Sequence, residues 1–249
     1  MKKWLFCVLF FVFSFNSIAR VYTPLDSDNV IIISGTIENG ESEIFKKTVE
    51  EKKHLGVITV SLSSDGGSLL EAMKIGKIIR DNKMWAVVPY NSRCLSSCVF
   101  LLAAGVFKNP VGLVGIHRPY ITDTNNKNVD FSMKNIMKNA ENYLDEMNVP
   151  KSLVEEMFSI SPENIKYLTN NEKIKFRLDG EDWGFKEQRE IDTAKKLNIS
   201  RIEYMRREGL YYELEGMCAK KFPNIDVDYI KCANQARKSV GLLPLSKED

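Results

Sequence analysis

An α/β fold with a mainly parallel sheet, followed by a small helical unit, is what the sequence predicts, and three features predict it. Apolar β-branched runs alternate with segments of helical period from residue 29 to 105. The segments between successive runs are long enough for crossover helices, the connection a parallel sheet requires. From about Lys186 onward the β-branched runs give way to charged helical sequence.

The elements follow in order. Residues 29–37, NVIIISGTI, are apolar and β-branched and read as a strand, and 41–53, ESEIFKKTVEEKK, as a polar amphipathic helix. LGVITVSL at 55–62 is a second buried strand, broken by SSDGG at 63–67. In 68–82, Leu69, Leu70, Met73, Ile75, Ile78 and Ile79 recur near helical spacing, and MWAVVP at 84–89 forms a third strand. A turn and a buried helix are expected over 92–105, SRCLSSCVFLLAAG, and one more strand over 111–119, VGLVGIHRP. Residues 121–130 are polar enough to be a loop; 131–158 read as helix in two pieces split at Pro150, and 161–176 as a turn and a short helix.

The first nineteen residues carry Lys2 and Lys3, an apolar run from Trp4 to Phe15 and Ser17-Ile18-Ala19, the pattern of a secretory signal peptide cleaved near Ala19. An uncleaved anchor is the competing reading. The expected division is therefore a signal peptide at 1–19, an α/β domain at 20–185 and a helical C-terminal extension at 186–249, with the protein in the periplasm or secreted. Loss of the leader removes two of the 35 basic residues and none of the 33 acidic ones, leaving 33 of each. Interleaved charges with no basic stripe argue against nucleic acid as the ligand.

Cys94, Cys98, Cys218 and Cys232 follow the leader, and four cysteines in an oxidising compartment suggest two disulfides. Local pairing, Cys94 with Cys98 and Cys218 with Cys232, is preferred over a zinc site, because no histidine lies near any of them in sequence. No metal or other cofactor is expected.

Three short motifs occur in order: SSDGGS after a strand, CLSSC opening a helix, and GIHRP ending a strand. Singly, each has an ordinary structural explanation, as a turn, a helix cap and a structural histidine. Their joint order and spacing resemble the Clp protease proteolytic subunit and the wider ClpP/crotonase superfamily, closest to its secreted members, over about Ile31 to Asp179. The matching stretches are Ser64-Asp65-Gly66-Gly67, Ser96 to Gly105, and Gly115-Ile116-His117-Arg118-Pro119, with a similar downstream segment at 148–179. The resemblance implies a repeated ββα superhelix.

It also implies roles. The family's nucleophile sits four residues before the phenylalanine of its FLL motif, which is Ser96 counted back from Phe100; the amides of Ser97 and Gly67 would form the oxyanion hole. A one-residue gap would make Ser97 the nucleophile. His117 is the general base that a serine hydroxyl needs near neutral pH, whereas His54, at the end of a polar helix, reads as a solvated surface residue. The family's acid position falls on Ile165. Asn164 and Glu163 are the nearest polar candidates for the third member, Asp123 and Asp130 are further ones, and a Ser-His dyad or an inactive site is left open.

Cys94 and Cys98 would clamp the serine turn; a redox pair or a cysteine nucleophile is the alternative, with Arg93 the only basic neighbour. The expected function is an exported serine hydrolase, most simply a peptidase acting on peptide or protein substrates. Competing classes are a crotonase-type acyl-CoA enzyme, disfavoured by export, and a binding scaffold that has lost its acid. The family's assembly also implies a homo-oligomer through a helix at 131–147, whose apolar residues are Phe131, Ile136, Met137, Tyr143, Leu144 and Met147. No ATP-dependent unfoldase partner is expected outside the cytoplasm.

Overall fold

A computed structural model of the chain describes residues 20–24, 28–120 and 129–245. The expected leader and Asp123 lie outside the described residues, as do the side chains of Asp130 and Phe131. The described chain is α/β, with a mixed, mostly parallel sheet. Its central strand, β3 (Thr59–Gly67), follows β1 (Arg20–Tyr22), β2 (Val30–Ile37) and helix α1 (Glu41–Lys52). Along one edge β3 pairs in parallel with β2, from Val30 opposite Thr59 to Ile37 opposite Gly67, and β2 pairs antiparallel with β1.

The other edge of β3 is shared. Its first residues, Thr59 to Ser61, pair with β4 (Trp85–Val88), whereas Ser64 pairs with Cys94 of β5 (Arg93–Leu95), so the sheet forks. One branch continues through parallel β6 (Phe107–Pro110) to antiparallel β9 (Gly180–Glu181), the other through parallel β7 (Leu113–Ile116) to antiparallel β8 (Lys166–Tyr167). Helices α2 (Leu69–Asp81) and α3 (Cys98–Ala104) connect strands within this frame, and α4 (Val129–Glu146), α5 (Ser152–Ser159) and α6 (Asn170–Lys175) follow β7.

The core forms around α3. No charged residue occurs between Arg93 and Lys108, so this helix has no polar face, and every residue from Cys98 to Ala104 is buried. Burying side chains such as Val99, Leu101 and Leu102 contributes about 1.5–3 kcal/mol each. On α2 the 3.6-residue period places Ala72, Ile75 and Ile79 in the same core, and Ser68 caps the helix by accepting from Glu71 N–H at 3.4 Å. Tyr143 and Leu144 of α4 and Met147 just after it are buried as well, so that part of the expected oligomerising face packs within the chain itself.

The structure differs from expectation in several elements. The second strand starts later, at Thr59, and runs through SSDGG instead of ending before it, because Ser64 and Gly67 have strand partners on opposite edges. Strands β1, β5, β6, β8 and β9 were not expected. In β6 the sequence FKNP has turn composition, but pairing with β4 and β9 overrides local preference.

Helices α7 (Trp183–Lys196), α8 (Arg201–Lys221) and α9 (Val227–Ser239) carry a second, separate hydrophobic cluster of Ala194, Tyr204, Tyr211, Ala236 and Leu242. The Cys218–Cys232 disulfide joins α8 to α9, with Cα atoms 5.8 Å apart. Among the described residues no helix is long and apolar enough to cross a membrane. Because this small cluster buries little, the disulfide's effect on the unfolded chain matters: reduction should destabilise the helical unit by about 3 kcal/mol. Thermal melts followed by circular dichroism, with and without reductant, read that loss.

Lys108 of β6 is buried beside Asp182, the N-cap of α7, with Nζ 4.0 Å from Oδ2; Arg80 also pairs with Asp182, at 3.2 Å. Burial pushes the Lys108 ammonium down to about 8, only partly offset by the Asp182 carboxylate. The unfolded chain therefore holds this proton to higher pH than the folded one, and stability rises as pH climbs from about 8 toward 10.5. Urea titrations at pH 7.5 and 9.5 should show wild type gaining on the order of 2 kcal/mol relative to Lys108→Met over that interval.

Candidate active site

Three parallel strands end together. Gly67 closes β3, Ser96 follows the last residue of β5, and His117 follows the last residue of β7. Ligands in parallel sheets bind beyond the carboxyl ends of strands, and a cavity of about 830 Å³ lies there, lined by Gly66, Gly67, Ser96, Ser97 and His117. Apolar side chains also line it, with Leu69, Leu70 and Met73 from α2, Phe100 from α3, Ile136 from α4 and Met157 from α5, beside Asn139 of α4. Among the described residues no group of three His, Cys, Asp or Glu side chains is arranged to hold a metal ion.

The turn between β5 and α3 is tight. Ser96 has φ 54°, a left-handed conformation that a non-glycine residue adopts at a cost of about 1 kcal/mol or more. Its own N–H donates to Gly115 O at 2.9 Å, which pins the turn to β7, and its carbonyl accepts from Val99 N–H at 3.1 Å. Ser97 is buried, and its Oγ donates to Gly67 O at 3.2 Å. The two serines are thus distinguished: Ser96 lines the cavity from a strained turn, while the Ser97 hydroxyl is spent on β3.

Gly66 and Gly67 make the close packing feasible. A Cβ on Gly66 would lie 2.7 Å from Leu95 O and 2.8 Å from Ser96 Cβ, and one on Gly67 would lie 2.2 Å from Ile37 O. The Gly66 N–H is already taken by Ser64 Oγ at 3.1 Å, and the Gly67 carbonyl faces the serine turn. That leaves the main-chain amides of Gly67 and Ser97 as the two donors expected for a developing oxyanion. The contact of Gly66 with Ser96 was not anticipated from sequence, although the Gly-Gly pair marked the place.

His117 is buried, and its Nδ1 lies 2.8 Å from Arg118 O. A carbonyl oxygen only accepts, so Nδ1 carries the proton and Nε2 is left as the basic nitrogen. The expected third member is not brought to this ring. Asn164 is exposed and donates its side-chain N–H to Ser161 Oγ at 2.8 Å, and Glu163 is exposed. Antiparallel pairing of β7 with β8 sets Ile116 opposite Lys166, so the next residues along the two strands are His117 and Ile165. Ile165 Cγ2 instead packs over Gly115, whose added Cβ it would approach to 2.7 Å. His54 is exposed in the 3₁₀ turn after α1, as expected.

At the mouth, Asp65 and Arg93 form an ion pair joining β3 to β5, and the Arg93 hydrogen bond holds the Asp65 carboxyl below its usual range. Behind the turn, Cys94 and Cys98 are disulfide-bonded, with Cα atoms 5.2 Å apart. The four-residue separation closes too small a loop to gain much from chain entropy, about 2 kcal/mol, so its main effect falls on the turn. Cys94→Ser/Cys98→Ser should therefore lower the reactivity of Ser96 by about tenfold while costing only a few degrees in Tm, measured by labelling kinetics and calorimetry on the same protein.

No protein-family model matches the chain, and no curated protein matches it significantly. The geometry of this cavity carries the functional reading.

Proposed function

We propose that the protein is an exported serine hydrolase of ClpP/crotonase-like build, acting on peptides through an acyl-enzyme on Ser96. The observation that supports this best is the convergence of Ser96, His117 and the Gly66-Gly67 pair at the ends of three adjacent parallel strands, around one cavity. In the first step His117 Nε2 accepts the Ser96 hydroxyl proton as Oγ bonds to the substrate carbonyl carbon. The oxyanion so formed accepts from the amides of Gly67 and Ser97. His117 returns the proton to the leaving amine as the scissile C–N bond breaks, and water then repeats the sequence to release the acid and free Ser96. The apolar wall of Leu70, Met73 and Met157 suits an apolar side chain beside the scissile bond.

Two disulfides and the leader-like residues 1–19 support export. A second reading, a binding scaffold with the same fold, draws on Ile165, which follows in strand register where the family's acid would stand opposite His117. A fluorophosphonate probe separates the two, since it reacts with an activated serine and not with an ordinary one. The hydrolase incorporates about one equivalent per chain, and a protein that stays unlabelled at millimolar probe over hours is the scaffold.

A further inference from the structure

Resting on the hydrolase reading above, we infer that Tyr120 positions the His117 imidazole and, together with the Arg118 carbonyl, does what an acid side chain does in a Ser-His-acid triad. An acid in such a triad has two jobs: it fixes which ring nitrogen is protonated, and it stops the ring from turning away. The first is met by the main chain, where His117 Nδ1 donates to Arg118 O at 2.8 Å. The second falls to Tyr120. Its ring meets the imidazole edge to face, with centroids 5.8 Å apart and planes at 69°, and both residues line the cavity.

Tyr120 is itself tied at both ends. Its backbone continues from Pro119, and its hydroxyl donates to Pro162 O at 2.6 Å. Two residues earlier, Arg118 N–H donates to Ile160 O at 3.0 Å. These two bonds strap residues 118–120 to residues 160–162, immediately before the stretch in which the resembling family carries its acid. On the side that Tyr120 covers, the imidazole turns against a ring held through its hydroxyl to Pro162 O. A tyrosine whose hydroxyl served only to fold the loop would not need its ring edge on His117.

The test uses the full-length mature protein. The chain has two histidines, and His54→Gln leaves the His117 ring as the only imidazole signal in a ¹⁵N spectrum. In this background, wild-type Tyr120 should give a ring held in the Nδ1–H tautomer and rapid fluorophosphonate labelling. Tyr120→Ala should label about tenfold more slowly and shift the ring nitrogens toward the mixture of tautomers of a free imidazole. Tyr120→Phe keeps the ring edge, loses the tether, and should retain the wild-type tautomer with labelling slowed only about threefold. Tyr120→Ala with an unchanged ¹⁵N spectrum and wild-type labelling overturns the inference. Should even the wild type take no label, the hydrolase reading falls, and the nitrogen shifts of Tyr120→Ala against Tyr120→Phe still decide whether Tyr120 holds the ring.

Discussion

Ser96→Ala is expected to abolish fluorophosphonate labelling and to lower peptide hydrolysis by about 10⁴-fold or more, whereas Ser97→Ala should keep labelling within about tenfold of wild type. The two residues are adjacent and chemically identical, so the contrast rests on geometry. Ser96 stands in a left-handed turn and lines the cavity that His117 also lines. The Ser97 hydroxyl is buried and committed to Gly67 O, and its removal costs about 1 kcal/mol of hydrogen bonding, while the Ser97 amide is a main-chain group that alanine retains. A reversed result, with labelling lost in Ser97→Ala and kept in Ser96→Ala, would move the chemistry by one residue and discard the role given to the strained turn.

Gly66→Ala is expected to damage the serine turn directly through a single methyl group. Gly66 and Gly40 both have positive φ, +93° and +95°, so alanine at either bears a conformational cost of about 1 kcal/mol or more. They differ in surroundings. A methyl at Gly40 meets nothing within 4 Å, but at Gly66 it meets Leu95 O and Ser96 Cβ below 3 Å. Those atoms belong to the serine turn, which is pinned by Gly115 on one side and the Cys94–Cys98 disulfide on the other and has no room to retreat. Gly66→Ala should therefore cost about 3 kcal/mol of stability and at least a hundredfold in labelling rate, against about 1 kcal/mol and no change in labelling for Gly40→Ala. Paired urea titrations and labelling kinetics of the two variants check this, and equal losses would show that packing against the turn is unimportant.

Much of the frame was legible because its signals are local. The isoleucines of NVIIISGTI, the helical spacing from Leu69 to Ile79 and the uncharged run after Arg93 each specify their element without help from distant chain. The elements missed are those made by partners. FKNP becomes a strand because β4 and β9 lie on either side, and SSDGG continues β3 because Ile37 and Cys94 supply its hydrogen-bonding neighbours.

The site divides in the same way. Ser96, His117 and the two glycines sit in recognisable short patterns, and so do both cysteine pairs. The third member does not, because His117 Nδ1 is satisfied by a carbonyl, a group every residue carries, and no side-chain pattern can mark it. Tyr120 is equally silent in sequence, since the partner of its hydroxyl, Pro162 O, lies 42 residues away. The apolar lining draws on four helices far apart in sequence and has no linear signature.

A serine hydrolase of this kind must pass through a covalent intermediate on one hydroxyl. Mature protein mixed with an activated p-nitrophenyl ester of an apolar acyl group, quenched with acid within the burst and digested, should yield one acylated peptide by mass spectrometry, with the acyl group on Ser96. An acyl group on Ser97, on a residue outside the cavity, or on none at all despite turnover of the ester would rule out Ser96 as the nucleophile.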